Sequence, residues 1–168
     1  MSKKRPLISI VTATHNRCSY LKILYNSLKL QNYKNIEWIV GNDGSNDNTD
    51  KVIKLFIKEK KKKIKYIKSD LRIGKTKIDN LIFPLVSGEY QCACGSDDYF
   101  KKDAFKNMSV LLKKIPRNLD NKINGLITQS VDTKGISQTF YKHKIPKKDL
   151  FMSWENCANY LKGDATLL

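Results

Sequence analysis

Near its amino terminus the chain runs Leu7-Ile8-Ser9-Ile10-Val11-Thr12, a short apolar stretch that is rich in β-branched residues. Such a run, followed by polar residues, predicts a buried β-strand. Similar runs predict further strands over residues 36–40, 64–67 and 90–94. Because these runs are nearly continuous in apolar character, we expect a parallel sheet whose two faces are both covered.

Apolar residues recur at helical spacing between and after the predicted strands. This spacing predicts helices over about residues 18–30, around residues 52–56, over 78–85 and over 105–115. Pro84 lies near the end of the third helix and is expected to kink or close it. Strand and helix therefore alternate four times, which is typical of an α/β fold with a mainly parallel sheet and right-handed crossovers.

Composition excludes several classes of protein. The chain has 168 residues, of which 40% are hydrophobic, so it can build a packed core and is neither disordered nor fibrous. No stretch approaches the roughly 20 consecutive apolar residues of a spanning helix. The start of the chain lacks the apolar segment of a signal peptide. Four cysteines without a Cys-x-x-Cys pair predict no zinc site, and we expect a cytoplasmic protein with reduced thiols.

Basic residues outnumber acidic ones by 32 to 16, which gives a formal net charge of +16. The excess suits a phosphorylated substrate, anionic lipid or nucleic acid, but a lysine-rich composition with solvated side chains explains it equally well. The densest run covers residues 58–65 and is predicted to be a helix end, where cations suit the macrodipole. A functional excess would fit peripheral contact with the inner face of a membrane.

Polar segments follow three of the predicted strands, at residues 12–17, 42–46 and 95–98. Ligands of open parallel sheets bind beyond the carboxyl ends of the strands, so we expect these segments to share one crevice. Asp97 and Asp98 are adjacent carboxylates there, and a hard divalent cation would relieve their repulsion. By itself such a pair is more often an Asp-rich turn or a helix cap.

Taken together, the segments resemble the motifs of the family 2 glycosyltransferases, which have the GT-A fold. The matching segments, in order, are His15-Asn16-Arg17, Asn42-Asp43-Gly44-Ser45-Asn46-Asp47, Gly74-Lys75 with Asn80, Gly88-Glu89-Tyr90 and Ser96-Asp97-Asp98. The resemblance implies a Rossmann-like sheet flanked by helices. It also implies transfer of a sugar from a nucleotide diphosphate, commonly a UDP-sugar, to a glycan or lipid-linked acceptor, with inversion, in cell-surface polysaccharide or glycolipid synthesis.

The resemblance also implies roles for individual residues. Asp43 corresponds to the carboxylate that binds the donor base, and His15 takes the position of a residue beside that base. Arg72 or Lys75 is expected to reach the base or the diphosphate. The donor-binding residues implied in this way are Ala13, His15, Asn16, Asp43, Arg72, Lys75 and Asp97.

Asp98, assisted by Asp97, corresponds to the metal ligand of the family, which implies Mn2+ or Mg2+ as the cofactor. Two residues depart from the family pattern. Asn42 replaces the first Asp of a doublet, and Asp79 stands where Arg or Leu is common. These departures leave the identity of the donor open.

No motif identifies the general base that activates the acceptor. The carboxylates available late in the sequence are Asp132, Asp149, Glu155 and Asp164. We expect the base to lie beyond Leu168, in a single domain of which residues 6–100 form the nucleotide-sugar-binding half. Residues 101–168 would then begin an acceptor half that is incomplete.

Two alternatives of other classes remain. Residues 69–76 differ by one residue from a Walker A loop, so Gly74-Lys75-Thr76 could belong to a P-loop-like NTPase. The net charge would also suit a basic nucleic-acid-binding domain, although no helix-turn-helix, finger or RNP-like strand accompanies it. We expect no nucleic-acid partner.

Overall fold

The computed structural model describes residues 5–113 and residue 134. The chain divides into two compact units, Met1–Ser109 and Val110–Leu168, and the fold described below is that of the first. Its elements are β1 (Ile8–Thr14), α1 (Cys18–Lys29), β2 (Ile36–Asp43), α2 (Thr49–Glu59), β3 (Lys63–Ser69), α3 (Lys75–Ile82), a 3-10 turn (Phe83–Leu85), β4 (Tyr90–Ala93) and α4, which begins at Ala104 and runs to Lys113.

The four strands form one parallel sheet in the order β3-β2-β1-β4. This confirms the predicted α/β architecture. Every residue of the central strand β2 is buried, as the continuous apolar run predicts. In contrast, no residue of β3 is fully buried, because β3 pairs with β2 alone among the described strands. The expectation of two covered faces therefore holds for β1 and β2 and is wrong for β3 and β4, neither of which has a buried residue.

Helices α1 and α2 cover one face of the sheet with aromatic side chains. The rings of Tyr25 and Phe56 stack with their centroids 4.0 Å apart, and Trp38 lies beside them with 1% of its surface exposed. The Trp38 indole donates a hydrogen bond of 3.0 Å to the Thr12 hydroxyl, so its buried N–H group is satisfied. This cluster fixes β1 and β2 against both helices.

Helix α3 packs against the opposite face, where a glycine permits close approach. A Cβ atom built on Gly41 would lie 2.8 Å from a side-chain carbon of Ile78, which is too close for any side chain. Gly41 therefore lets α3 rest directly on β2. The helix ends at Ile82 and continues as a 3-10 turn that contains Pro84, as expected of a helix closed by proline.

Several sequence-based boundaries are corrected by the structure. Strands β1 and β2 extend to Thr14 and Asp43, so the polar residues that suggested loops are the last residues of the strands. Leu55 and Leu81, predicted on the core faces of helices, are 58% and 46% exposed. Among the described residues, no helix is both long enough and apolar enough to cross a membrane.

The lysine run 58–65 is only partly a helix end, because α2 stops at Glu59 and β3 begins at Lys63. Two of its lysines serve a buried acid instead. Lys63 and Lys65 place their ammonium groups 2.9 and 3.2 Å from Oε2 of Glu37, whose side chain is fully buried. Prediction of the run as one solvated helix end is therefore wrong for its second half.

Glu37 lies at the amino edge of the sheet and joins four segments. Its Oε1 atom accepts hydrogen bonds from the Ser9 hydroxyl at 2.7 Å and from the Ser87 backbone N–H at 2.8 Å. Burial alone would raise the pKa of Glu37. These donors and the two lysines outweigh burial and lower the pKa to about 2.

We predict that Glu37→Gln destabilises the fold at neutral pH by about 1–3 kcal/mol, since charged hydrogen bonds to a buried acceptor are lost. Because the folded pKa of Glu37 lies below its ordinary value of 4.5, its contribution is complete above that pH and is lost as the pH falls toward about 2. Urea unfolding at a series of pH values should therefore show the variant and wild type converging in acid. Glu89→Gln, which removes an exposed carboxylate at the same edge, is the control and should change little. A gap that stays constant down to pH 2 would contradict the assignment.

Candidate functional site

The loops that follow the four strands meet at the carboxyl edge of the sheet. Contacts between side chains and backbone join the loop after β1 to the loops after β2 and β4, and join the end of β2 to the loop after β3. The structure therefore brings together the three segments that were predicted to share a crevice. It adds a fourth, residues 70–74, which contains Arg72 and Gly74 of the motifs that the family resemblance implied.

Asn16 fastens the loop after β1 to the loop after β2. Its backbone is left-handed, with φ of 51°, a conformation that asparagine tolerates better than most residues. Its Oδ1 atom accepts hydrogen bonds from the backbone N–H groups of Asn46 at 2.9 Å and Asp47 at 3.4 Å. Its own backbone N–H donates to the Ser45 hydroxyl at 2.9 Å. Asn16 thus holds the loop after β1 against the loop after β2.

Asp47 binds the first turns of two helices with one carboxylate. One oxygen accepts from the Cys18 backbone N–H, the start of α1, at 3.3 Å, and the other accepts from the Thr49 N–H, the start of α2, at 2.9 Å. Both N–H groups lie at the positive ends of helix dipoles. Burial opposes the charge, but these hydrogen bonds outweigh it and lower the pKa of Asp47. No local sequence pattern predicts this shared cap.

His15 is held with a defined tautomer. Its Nδ1 atom lies 2.6 Å from the backbone carbonyl oxygen of Asp43, so Nδ1 carries the proton and donates it. Its Nε2 atom lies 3.3 Å from Nδ2 of Asn16, which can only donate because Oδ1 of that amide accepts backbone N–H groups. Both contacts fit the neutral imidazole. The predicted donor residues His15, Asn16 and Asp43 therefore lie together, next to Ala13 at the end of β1.

Asp43 anchors the loop after β3. Its Oδ1 atom accepts from the Ile73 N–H at 2.6 Å, and Gly74 N–H lies 3.0 Å from Oδ2. The neighbouring Gly44 has φ of +63°, and a Cβ there would lie 2.4 Å from the Arg72 backbone nitrogen. Only glycine fits at this position. The turn after β2 and the loop before α3 therefore form one packed unit around the Asp43 carboxylate.

The two residues that depart from the family pattern both have local partners. Asn42 is buried at the end of β2, where its amide donates to the Tyr66 hydroxyl at 2.9 Å and accepts from the Ser45 N–H at 3.0 Å. The Tyr66 hydroxyl in turn donates to Asp50 at 2.8 Å. Burial and the acid beside it raise the pKa of Tyr66. Because the Tyr66 hydroxyl donates its proton to Asp50, it can only accept a hydrogen bond from residue 42. The amide of Asn42 supplies that donor, which a carboxylate would not.

Asp79 is buried on α3 and forms an ion pair with Lys75, 2.5 Å away, one turn earlier on the helix. The Lys75 side chain is otherwise exposed at the first turn of α3. Arg72 lies in the same loop, two residues before the glycine that precedes α3. The structure thus places both predicted phosphate-side cations at the edge of the sheet where Asp43 lies, with Lys75 tethered by Asp79.

The acidic pair follows β4 in a tight turn. An Asp98 carboxylate oxygen accepts from the Gly95 backbone N–H at 3.1 Å, and the Arg17 guanidinium lies 3.2 Å from the Asp97 carboxylate. Arg17 belongs to the loop after β1, so its contact with Asp97 joins that loop to the acidic pair. The Arg17 backbone N–H also donates to the Thr49 hydroxyl, at the start of α2. The Asp97 side chain is 53% exposed, so the pair remains accessible to solvent.

The residues present fit a divalent cation that is shared with a substrate. No group of three or more His, Cys, Asp or Glu side chains occurs among the described residues, so the protein does not offer an all-protein cage there. Magnesium and manganese are commonly bound by one or two carboxylates with the rest of the shell supplied by phosphates and water. Asp97 and Asp98 form such a pair. In each of them, one carboxylate oxygen accepts a hydrogen bond, from Arg17 or from Gly95, and the other oxygen is available to a cation.

A family model described as glycosyl transferase family 2 matches residues 9–155. The chain belongs to glycosyl transferase family 2. An uncharacterised glycosyltransferase of Mycoplasma genitalium is 32% identical over 107 residues, covering 61% of this chain and 35% of that protein. The parallel sheet flanked by helices is a GT-A glycosyltransferase fold, which solved structures of glycosyltransferases share.

Solved structures agree with this assignment. Residues 1–349 of TarS from S. aureus, in complex with UDP, superpose with a TM-score of 0.64 and 25% identity, covering 82% of this chain and 40% of that one. A mannosyltransferase from Pyrobaculum calidifontis in complex with GDP-Man and Mn2+ superposes with a TM-score of 0.58 and 18% identity, covering 66% and 32%. The chain thus spans well under half the length of these relatives. The late carboxylates Asp132, Asp149, Glu155 and Asp164 lie outside the described residues.

We predict that Asn16→Ala lowers the free energy of unfolding by about 1–3 kcal/mol, because an acceptor of two N–H groups is lost and alanine is strained at positive φ. Asn16→Gly separates the two effects, since glycine adopts this φ freely but offers no acceptor. Urea unfolding of both variants should show Asn16→Gly intermediate between wild type and Asn16→Ala. If Asn16→Gly were as stable as wild type, the hydrogen bonds that the Asn16 amide accepts would not stabilise the contact between the two loops.

Proposed function

We propose that this chain carries the donor site of a glycosyltransferase that moves a sugar from a UDP-linked donor to the hydroxyl of a glycan or lipid-linked acceptor. The observation that carries the proposal is the Asp97–Asp98 pair at the exit of β4, joined through Arg17 to the loop after β1. Family membership and a structural relative solved with UDP support this use of the crevice. Synthesis of a cell-surface polysaccharide or glycolipid is the process that fits such an acceptor.

In the proposed reaction the acceptor oxygen attacks the anomeric carbon while the bond from that carbon to the diphosphate oxygen breaks. The bonding electron pair leaves with the nucleoside diphosphate, and the acceptor proton passes to a general base. Attack from the side opposite the leaving group inverts the anomeric centre. We propose that this base belongs to the acceptor half of the enzyme, as the predicted division into a donor half and an acceptor half implies.

Asp98 and Asp97 would hold Mn2+ or Mg2+, which supplies Lewis acidity that neutralises the departing diphosphate. The protein's own groups contribute charge and orientation around it. Arg17 fixes the Asp97 carboxylate from the side of α1. Lys75 presents its ammonium group at the start of α3, with two thirds of its side chain exposed. We propose Lys75 and Arg72 as the cations of the donor's diphosphate.

Asp43 is proposed to bind the donor base. Hydrogen bonds from residues 73 and 74 hold its carboxylate in one orientation, and Oδ2 accepts from a single N–H group. A carboxylate oxygen can accept a second donor, such as the ring N–H of uracil. His15 would lie at the edge of that base, because its ring is bonded to the Asp43 carbonyl.

The NTPase alternative is disfavoured by the same contacts. A Walker A loop wraps phosphates with free backbone N–H groups. In this chain the N–H groups of Ile73 and Gly74, which directly precede Lys75, point at the Asp43 carboxylate. They are therefore occupied by an internal anion, and a phosphate placed there would be repelled by Asp43.

We predict that Asp98→Asn abolishes most of the gain in UDP affinity that Mn2+ provides. Loss of a charged ligand should weaken binding in the presence of Mn2+ by about 10- to 100-fold, and binding without the metal should change little. Calorimetric titration of UDP with and without Mn2+ measures both quantities. Glu89→Gln is the matched control, because it removes one exposed carboxylate at the opposite edge of the sheet. Equal metal-dependent affinity in wild type and Asp98→Asn would refute the metal assignment.

We also predict that UDP binds at least about tenfold more tightly than CDP. Cytosine has the same size as uracil but lacks the ring N–H group from which Asp43 would accept a hydrogen bond. Competition between the two nucleotides at fixed Mn2+ gives the ratio directly. ADP and GDP extend the comparison to larger bases. Binding of CDP or ADP as tight as that of UDP would show that Asp43 does not recognise the base and serves only to anchor its loop.

A further inference from the structure

Cationic side chains gather at the amino edge of the sheet, opposite the donor crevice. Residue 34 lies in the connection that leads into β2, and residues 58–62 lie at the end of α2 and in the connection to β3. Both connections enter parallel, paired strands and therefore lie at the same edge. We use the name basic edge for the lysines at this place, Lys34, Lys58, Lys60, Lys61 and Lys62.

The charges of the basic edge are not neutralised within the part of the chain that the structure describes. None of its five lysines forms an ion pair there. The nearby acids have other partners, since Glu37 binds Lys63 and Lys65 and Glu59 binds Lys29. Partial burial and the charge of Lys34 lower the pKa of Lys62, as expected for crowded cations without a counter-ion.

Lys60 occupies a position that favours glycine. It caps α2 with a left-handed backbone, φ of 51°, and its N–H donates to the Ile57 carbonyl. Glycine is the usual residue at such a helix end, because a side chain at positive φ is strained. The strained cap thus carries one more cation of the basic edge.

Exposed aliphatic side chains accompany these lysines. Leu30, at the end of α1, is 71% exposed, and Ile57, in the last turn of α2, is 38% exposed. Both helices return to the amino edge, so these side chains lie at the same end of the unit as the lysines. Lysines with exposed aliphatic residues are the composition that binds at a lipid–water interface.

We propose that the basic edge, with Leu30 and Ile57, docks on an anionic membrane surface. A single-stranded nucleic-acid partner would stack its bases on aromatic side chains beside the charge. The exposed aromatic residues of the described part, Tyr20 and Tyr99, belong to the first turn of α1 and to the segment after β4. The seven residues of β1 separate the two edges by roughly 20 Å, so the donor crevice would stay open to solvent above the lipid.

Sedimentation of the 168-residue chain with lipid vesicles tests the proposal. Vesicles of phosphatidylcholine alone are compared with vesicles that contain 30 mol% (about one third) phosphatidylglycerol, at low and physiological salt. The chain should bind the anionic vesicles and not the neutral ones. The triple change Lys58→Gln, Lys61→Gln, Lys62→Gln should weaken partitioning by roughly 100-fold, about fivefold for each lysine. Leu30→Ser should weaken binding that persists at physiological salt.

Two controls separate surface docking from general charge and from misfolding. The triple change Lys22→Gln, Lys51→Gln, Lys77→Gln removes the same charge from exposed lysines in the first halves of α1, α2 and α3, and it should leave partitioning nearly unchanged. Lys60→Gly should raise the unfolding temperature, because the strain is relieved, and yet weaken vesicle binding.

Equal loss of binding in the two triple variants would overturn the proposal, as would binding to neutral and anionic vesicles alike. So would preferential binding of single-stranded RNA over vesicles in a competition. The vesicle measurements contain no nucleoside diphosphate or nucleotide-sugar, so their outcome is independent of the proposed donor site.

Discussion

The backbone N–H groups at the carboxyl edge of the sheet need acceptors, and three short side chains each accept two of them. In a parallel sheet every strand leaves at the same edge, so four loops and three helix starts crowd together there. Asn16, Asp43 and Asp47 each accept two N–H groups from a segment other than their own or from a helix start. The crevice is therefore an assembly of loops that hold each other, and its shape depends on acceptors with short side chains. A longer side chain at any of the three positions would separate the loops it joins.

The same topology sorts charge along the strand direction. Acidic side chains that accept N–H groups or flank the crevice lie at the carboxyl edge, whereas the chain returns through lysine-rich connections at the amino edge. Glu37 is a buried acid at the amino edge, and two lysines and two further donors surround its carboxylate there.

Much of the fold could be predicted from the sequence, because the central strands are continuous apolar runs and the helices repeat at helical spacing. The parallel sheet, the closure of α3 before Pro84 and the meeting of three polar segments were predicted and are confirmed. The edge strand β3 was less predictable, since alternating lysines hide its character until Glu37 is known to pair with two of them. Hydrogen bonds between distant segments, such as Asp47 to two helices, leave no local pattern, so the anchoring roles at the site could not be predicted.

The contacts of Asp43 explain how one residue can both anchor a loop of the site and have the proposed role of binding the donor base. A carboxylate free to rotate would lose conformational freedom on binding and would first have to shed water. Here two backbone donors and the packing of Gly44 against residue 72 fix Asp43 before any ligand arrives. The entropy of ordering it has therefore been spent in folding, and the single further donor that Oδ2 accepts must match its fixed orientation. In the proposed complex, anchoring the loop and selecting the base are one property of the carboxylate, because the hydrogen bonds that immobilise it also leave it with one defined place for a ligand.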